Sequence, residues 1–446
     1  MKKTISLILA IIILICSAMP ISANILAGDA DSNGSVDTAD SVVLSRYLAN
    51  WSGYSAIINL ANCVLDTIEE VSSSDSVILA RHLAKWSGYM TLPVDIKYKT
   101  PYELGIPALE KYSTGTRSRC AQDIAYFNGK LYVGNGDASA NVGPITIYAY
   151  DPEKDSWSAS GTVADEEVSR FRVIGGKLVT TGVDPTEGWE YGNYYSLNES
   201  TGGWDKIRTI PNAIHNFDML EHDGLIFAGI AVSPGNGYPI AVSSDGGKSF
   251  KQVDMIKDGA LRDISERQII RVYELFLLND TVYALFRYQS TTAVTVELYR
   301  YEDGRFVYDN YWGSKIDAPS HIKYMVGASA EFKGRLFFTT AYLYATSDMN
   351  ELTWYEKLEG TICDLCVAND KLYVLSYTKK DDGSYRMTVY ENTDGSDDGF
   401  NEAFYFDYSA PAISFDYGSE GFYFGVGDIN NINDKNGMVL KVEYTE

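Results

Sequence analysis

The sequence predicts an all-β fold, a seven-bladed β-propeller, carried behind a small all-α unit. Three observations lead there. Short apolar hairpins return at near-regular spacing after residue 100, and a 14-residue stretch near the N-terminus is duplicated. The chain also holds 34 tyrosines, whose flat rings pack well on pleated sheets.

Residues 1–23 come first. Lys2 and Lys3 precede an apolar run from Ile5 to Ile15, and Ile21-Ser22-Ala23 offers small residues for cleavage, the layout of a secretory signal peptide. That run is too short to span a bilayer and no later segment reaches 18 apolar residues, so a secreted, extracellular chain without membrane insertion is expected. Losing Lys2 and Lys3 moves the formal charge from −23 to −25 (−23 − 2). Such a balance excludes nucleic acid and anionic membrane surfaces as partners and supplies oxygens for hard cations. Once Cys16 leaves with the signal, Cys63, Cys120, Cys363 and Cys366 are too sparse for a disulfide framework. Cys363 and Cys366 have CxxC spacing, but in a strand-like run residues three apart point to opposite faces.

Residues 24–92 form the duplicated unit. In GDADSNGSVDTAD (28–40), taking Asp29 as position 1 puts Asp31, Asn33, Asp37 and Asp40 at 3, 5, 9 and 12, with Gly34 at 6 and the Ser35 carbonyl at 7. This spacing lets oxygens converge on Ca²⁺ while glycine permits the sharp turn. Two features differ from an EF-hand: position 12 is Asp40 rather than Glu, and no helix can precede the loop. Asp40 as N-cap, with Val43, Tyr47 and Trp51 at helical spacing, marks the helix that follows. Thirty-five residues on, SVVLSRYLANWSGY (41–54) returns as SVILARHLAKWSGY (76–89), identical at ten of 14 positions.

A loop and helix, twice over, resembles a dockerin, the docking module of cellulosome components. The resemblance implies calcium-ordered helices that bind a cohesin module of a scaffold protein. It implies contacts through Thr38, Ala39, Ser45, Arg46 and Asn50 in one half and Ser73, Ser74, Ala80, Arg81 and Lys85 in the other. Aligning Asp75 with Asp40 places Val64, Asp66, Ile68, Glu69 and Ser72 at positions 1, 3, 5, 6 and 9. Two ligand positions are apolar and the turn glycine is gone, so no well-formed second calcium site is expected.

Residues 93–111 read as a linker, and 112–446 as the propeller. Hairpins such as YFNGKLYVG (126–134), EHDGLIFAG (221–229) and VANDKLYVLS (367–376) carry turns beginning at 128, 175, 223, 279, 333, 369 and 419. The separations of 47, 48, 56, 54, 36 and 50 residues suit blades of four short strands. Outer turns close on Trp157, Trp204, Phe250, Phe306 and Trp354. The last blade runs out after VLKVEY (439–444), one strand short, and YELGIPALEKY (102–112) is the candidate to close the ring. The pattern resembles kelch-type and Asp-box propellers. Ser243 to Phe250 matches the Asp-box SxDxGxxF/W, which in that family is a structural turn, and TSDMNELTW (346–354) is a stretched version.

If the NGK-like turns mark one face, the opposite face carries Arg117, Arg119, Asp137, Asp165 to Glu167, Arg170, Asp184, Glu187, Trp189, Tyr191, Arg208, His215, Arg271, His321 and Asp428. There Trp189 and Tyr191 offer stacking surfaces for a sugar ring, and Arg172 and Arg208 can hold an acidic sugar. His215 is the candidate general base, with Arg172 and Glu190 as further catalytic candidates. Three classes stay open: a carbohydrate-recognition component of a cellulosome-like complex acting on plant cell-wall polysaccharide, a glycoside hydrolase or polysaccharide lyase, and a non-catalytic protein-binding subunit.

Overall fold

The computed structural model describes residues 26–444 apart from 67–69, 87–88, 96, 110, 112–116, 265–268, 290–293, 312–326, 429–430 and 432. The signal segment 1–23, Ile68, Glu69 and His321 lie outside the described residues. The chain divides into two compact units, residues 1–97 and 98–446.

The first unit holds two helices of 11 residues, α1 (Thr38–Leu48) and α2 (Ser73–Leu83). Helices this short are marginal alone, so caps and packing must hold them. Both begin with a capping box. In α1 the N-cap is Asp37, three residues before the expected Asp40, because Asp40 sits at N3 and its carboxylate accepts from the Asp37 N–H. In α2 the same roles fall to Ser72 and Asp75. Val43 and Leu44 of α1 and Ile78 and Leu79 of α2 close the core with Ala30, Cys63 and Leu65. Burial of each large aliphatic side chain contributes about 1.5–3 kcal/mol. Trp51, expected on the buried stripe, lies beyond α1 and is exposed, as is its counterpart Trp86.

The second unit is built from antiparallel hairpins. Five four-stranded sheets stand apart. The first runs Asp123–Phe127, Lys130–Gly134, Ile145–Asp151, Ser156–Val163. The others open with Phe171–Ile174, Ser329–Phe332, Thr361–Ala368 and Ala412–Gly418. The hairpin turn at Asn128 and Gly129 needs positive φ at both residues (47° and 81°), which is why Asn-Gly occupies it. First strands of successive sheets lie side by side and outer strands fan away. This is a β-propeller.

The seven separate blades expected from turn spacing become five, with the remainder in one twelve-stranded sheet. The physical reason is local. Strand Leu225–Val232 runs past its own hairpin and pairs with the next first strand, Ile269–Leu278, through Ala231 to Arg271 and Val232 to Ile270. That bridge fuses the hairpins of residues 215–252 with those of 269–311.

Strand Tyr102–Gly105 pairs antiparallel with Val439–Glu443 and completes the C-terminal sheet. The Trp157 indole donates to the Leu104 carbonyl at 2.7 Å, and Glu103 takes hydrogen bonds from Tyr408 (2.6 Å) and Lys435 (2.8 Å). Deleting residues 98–106 is expected to bare the edge at 439–443 and turn a monodisperse protein into associating species under light scattering. An unchanged scattering profile would count against this closure.

Candidate functional site

In the first unit the loop before α1 draws three carboxylates together. Single oxygens of Asp29, Asp31 and Asp40 lie within 4.8 Å of one another. Asp29 is only 3% exposed and Asp40 0%. Backbone donors hold the acids in place: Asn33 and Gly34 N–H donate to Asp29 at 2.9 Å each, and Asp31 N–H donates to Asp40 at 3.2 Å. Asn33 accepts from the Ser35 N–H, and Asp37 from the Ala39 N–H. Gly34 sits at φ 89°, where a side chain would be strained. Burial raises the Asp40 pKa against the hydrogen bonds from Asp37 and Asp31, and the Asp31 charge adds to the rise. A donor set of hard oxygens, short of positive charge and already folded into a loop, fits a Ca²⁺ ion.

The second loop reproduces the frame, with Asp66 and Asp75 at positions 3 and 12. Leu65 and Ser72 N–H donate to Asp75 at 2.7 Å each, and Asp66 accepts from the Ser74 hydroxyl. Thr38, Ala39, Ser45, Asn50, Ser73, Ser74, Ala80 and Lys85 are exposed. Ser45 meets Ser76 across the pair at 2.9 Å. Arg46 and Arg81 are each clamped by their own flank: Arg46 stacks on Trp51 and donates to Tyr54, and Arg81 stacks on Trp86 and donates to Tyr89.

In the second unit, acids tie first strands together. Phe171 N–H donates to Asp123 (2.6 Å), Leu275 N–H to Asp218 (2.9 Å), Phe415 N–H to Asp364 (2.8 Å) and Tyr126 N–H to Asp416 (2.7 Å). Hydrogen bonds to charged acceptors are worth about 1.5–3 kcal/mol each. Burial pushes the Asp123 pKa up to about 6. Two arginines join this belt. Arg172 binds Asp218 through Nε (2.9 Å) and Nη2 (3.2 Å), and Arg170 reaches Glu274 (2.6 Å) and Asp218 (3.1 Å). Glu274 is pushed up to about 7 by burial, whereas in Asp218 burial is outweighed by Arg172 and Arg170 and the pKa falls.

Above the belt opens a cavity of about 670 Å³ lined by His215, Arg271, Arg287, Tyr273, Glu167 and Asp184, among others. His215 and Arg271, expected on this face, meet here. Arg172 and Glu190 do not join His215: Arg172 is held in the belt, and the Glu190 side chain is 79% exposed beside Arg208. The expected catalytic trio is therefore not assembled. Arg208 serves its own loop, donating to the Tyr191 and Gly188 carbonyls, so it is not presented to a sugar. Trp189 and Tyr191 are exposed (54% and 48%). Trp189 lies within reach of the Asp184 carboxylate, which lines the cavity. Burial, reinforced by Arg271, lowers the His215 pKa to about 4, leaving the imidazole neutral near pH 7. Burial raises Glu167 and Asp184.

The Asp-box is a turn, as its pattern implies. Asp245 accepts from the Ser243 hydroxyl (2.8 Å) and from Ser249 N–H and hydroxyl (2.9 and 2.6 Å) between strands Ile240–Ser243 and Lys251–Gln252. Those bonds, Ser249 foremost, lower its pKa to about 2. Cys363 and Cys366 are free thiols, and Cys366 donates to Asp416.

No family model matches the sequence, and no curated protein is similar to it. Among solved structures, a chain of the mitotic checkpoint complex is similar at 10% identity, over 72% of this chain and 86% of that one, with TM-score 0.41. The β-propeller domain of the Trilobed protease from Pyrococcus furiosus, described as having an open velcro topology, is similar at 9% identity. It covers 73% of this chain and 92% of that one, also with TM-score 0.41. At such identities a likeness concerns fold alone. Here the sheet pairing itself carries the propeller assignment. Among the described residues no helix is long and apolar enough to cross a membrane.

Proposed function

We propose that this chain is a secreted, dockerin-bearing component of a cellulosome-like complex. On this reading the first unit docks by Ca²⁺-dependent binding to a cohesin module, and the propeller recognises or processes plant cell-wall glycans. The observation that carries the docking half is the convergence of Asp29, Asp31 and Asp40 ahead of α1, in a loop–helix unit repeated at α2. The pairing of Arg46, Trp51 and Tyr54 with Arg81, Trp86 and Tyr89 supports two equivalent faces.

The twelve-stranded sheet reads best as two joined blades, which makes seven. Asp218 in its first hairpin and Glu274 in its second stand at the offset from the turn that Asp123 and Asp364 hold in separate sheets.

A catalytic reading, glycoside hydrolase or polysaccharide lyase, draws on the neutral His215 beside Arg271 and on two carboxylates with raised pKa values. Calorimetric titration of the full chain with Ca²⁺ tests the docking half: one tight site supports it, and none, or two of equal strength, contradicts it. Incubating residues 98–446 with cell-wall polysaccharides separates the propeller classes. New reducing or unsaturated ends mark an enzyme, and retention without products marks a binding module.

A further inference from the structure

The cavity above the belt gathers several arginines. Arg271 and Arg287 stand directly opposite each other on adjacent strands, a placement that is destabilising for like charges. Both point at one hydroxyl: Arg271 Nη1 donates to Tyr273 at 2.6 Å, and Arg287 Nη1 lies 3.4 Å from it. Both guanidinium groups sit 5.7 Å from the Tyr273 ring centre. Among the described residues no carboxylate forms an ion pair with Arg271 or with Arg117, which also lines the cavity. Arg170, at the floor, is neutralised by Glu274 and Asp218. Arg117, Arg271 and Arg287 line the cavity together with the carboxylates of Glu167 and Asp184.

Two further features point to a ligand. Arg117 Nε and His215 Nδ1 are buried without a hydrogen-bond partner in the protein, and unpaired buried polar atoms are costly. His215, Phe217 and Tyr273 form a continuous aromatic shelf, with ring centres 5.2 Å and 4.4 Å apart, and the exposed Trp189 lies near Asp184.

We propose that this mouth binds the carboxylate of an acidic sugar, a uronate. Arg271 and Arg117 hold the carboxylate, the aromatic shelf and Trp189 face the ring, and Glu167, Asp184 and His215 receive hydroxyls. Glu167 and Asp184 would repel a phosphate dianion more strongly than a monoanion. The proposal rests on the glycan reading of the propeller and is independent of the docking reading.

The test is calorimetric titration of the full chain with D-galacturonate and D-glucuronate, against D-galactose and inorganic phosphate. Saturable binding of a uronate is expected, with galactose and phosphate weaker by about tenfold or more, the factor equivalent to losing one charge-assisted hydrogen bond. R271Q should weaken the uronate by a similar factor at unchanged far-ultraviolet circular dichroism. Y273F, which removes only the shared hydroxyl, gives the same reading should R271Q fold poorly. No uronate binding, equal binding of galactose, tighter binding of phosphate, or full affinity in both variants overturns the proposal. Retention of neutral cell-wall glycans together with no uronate binding would overturn it while leaving glycan recognition standing.

Discussion

Replacing Asp218 with alanine is expected to lower the thermal midpoint of the propeller by roughly 5–10 °C, from a loss of about 3–5 kcal/mol. The carboxylate is wholly buried and anchors four groups at once: Arg172, Arg170, and the N–H groups of Leu275 and Met219. Taking it away leaves two guanidinium groups with Glu274 as the remaining buried counterion and leaves a first strand without its tie to the next. Differential scanning calorimetry measures the shift. D218N keeps the shape and an acceptor, so it should fall between wild type and D218A. A midpoint within about 2 °C of wild type for D218A would mean that the belt is incidental to stability.

The second large effect concerns the loop before α1. D40A removes the capping-box acceptor of the Asp37 and Asp31 N–H groups, a loss of about 0.5–2 kcal/mol for the cap alone. It also removes one of the three converging carboxylates. D75A is the matched comparison, because Asp75 makes the same two kinds of hydrogen bond at α2 in a loop without the acid set. Both variants should lose stability in chelator to a similar degree. In Ca²⁺ the wild type and D75A should gain helical circular dichroism signal and D40A should not. A calcium response that survives D40A would remove the loop from the account.

Much of this architecture was legible in the residues. The hairpins were, since Asn-Gly and Asp-Gly turns declare positive φ and alternate with apolar strands. So was the closing strand, since the final hairpin lacks a fourth partner. The twelve-stranded sheet was not, because nothing in Leu225–Val232 separates a strand that stops at its own hairpin from one that runs on to its neighbour. The belt was present but unread. Asp123, Arg170, Asp218, Glu274 and Asp364 each stand five residues before a turn that begins at 128, 175, 223, 279 or 369. Aligning the hairpins on their turns places a charged residue at the same position in each of these five. Arg172, three residues before its turn, shares Asp218 with Arg170 and so belongs to the belt. His215 and Arg271 both line the cavity. Their grouping with Tyr273 and Arg287 depends on cross-strand register, which spacing along the chain does not encode.

The most direct measurement is binding of the full-length mature chain to a cohesin module, once in millimolar Ca²⁺ and once in excess chelator. Tight binding is expected with calcium, and loss of most of it when the ion is withdrawn or when Asp40 is replaced by alanine. Equal affinity in both buffers, or no binding to any cohesin with calcium present, would contradict it.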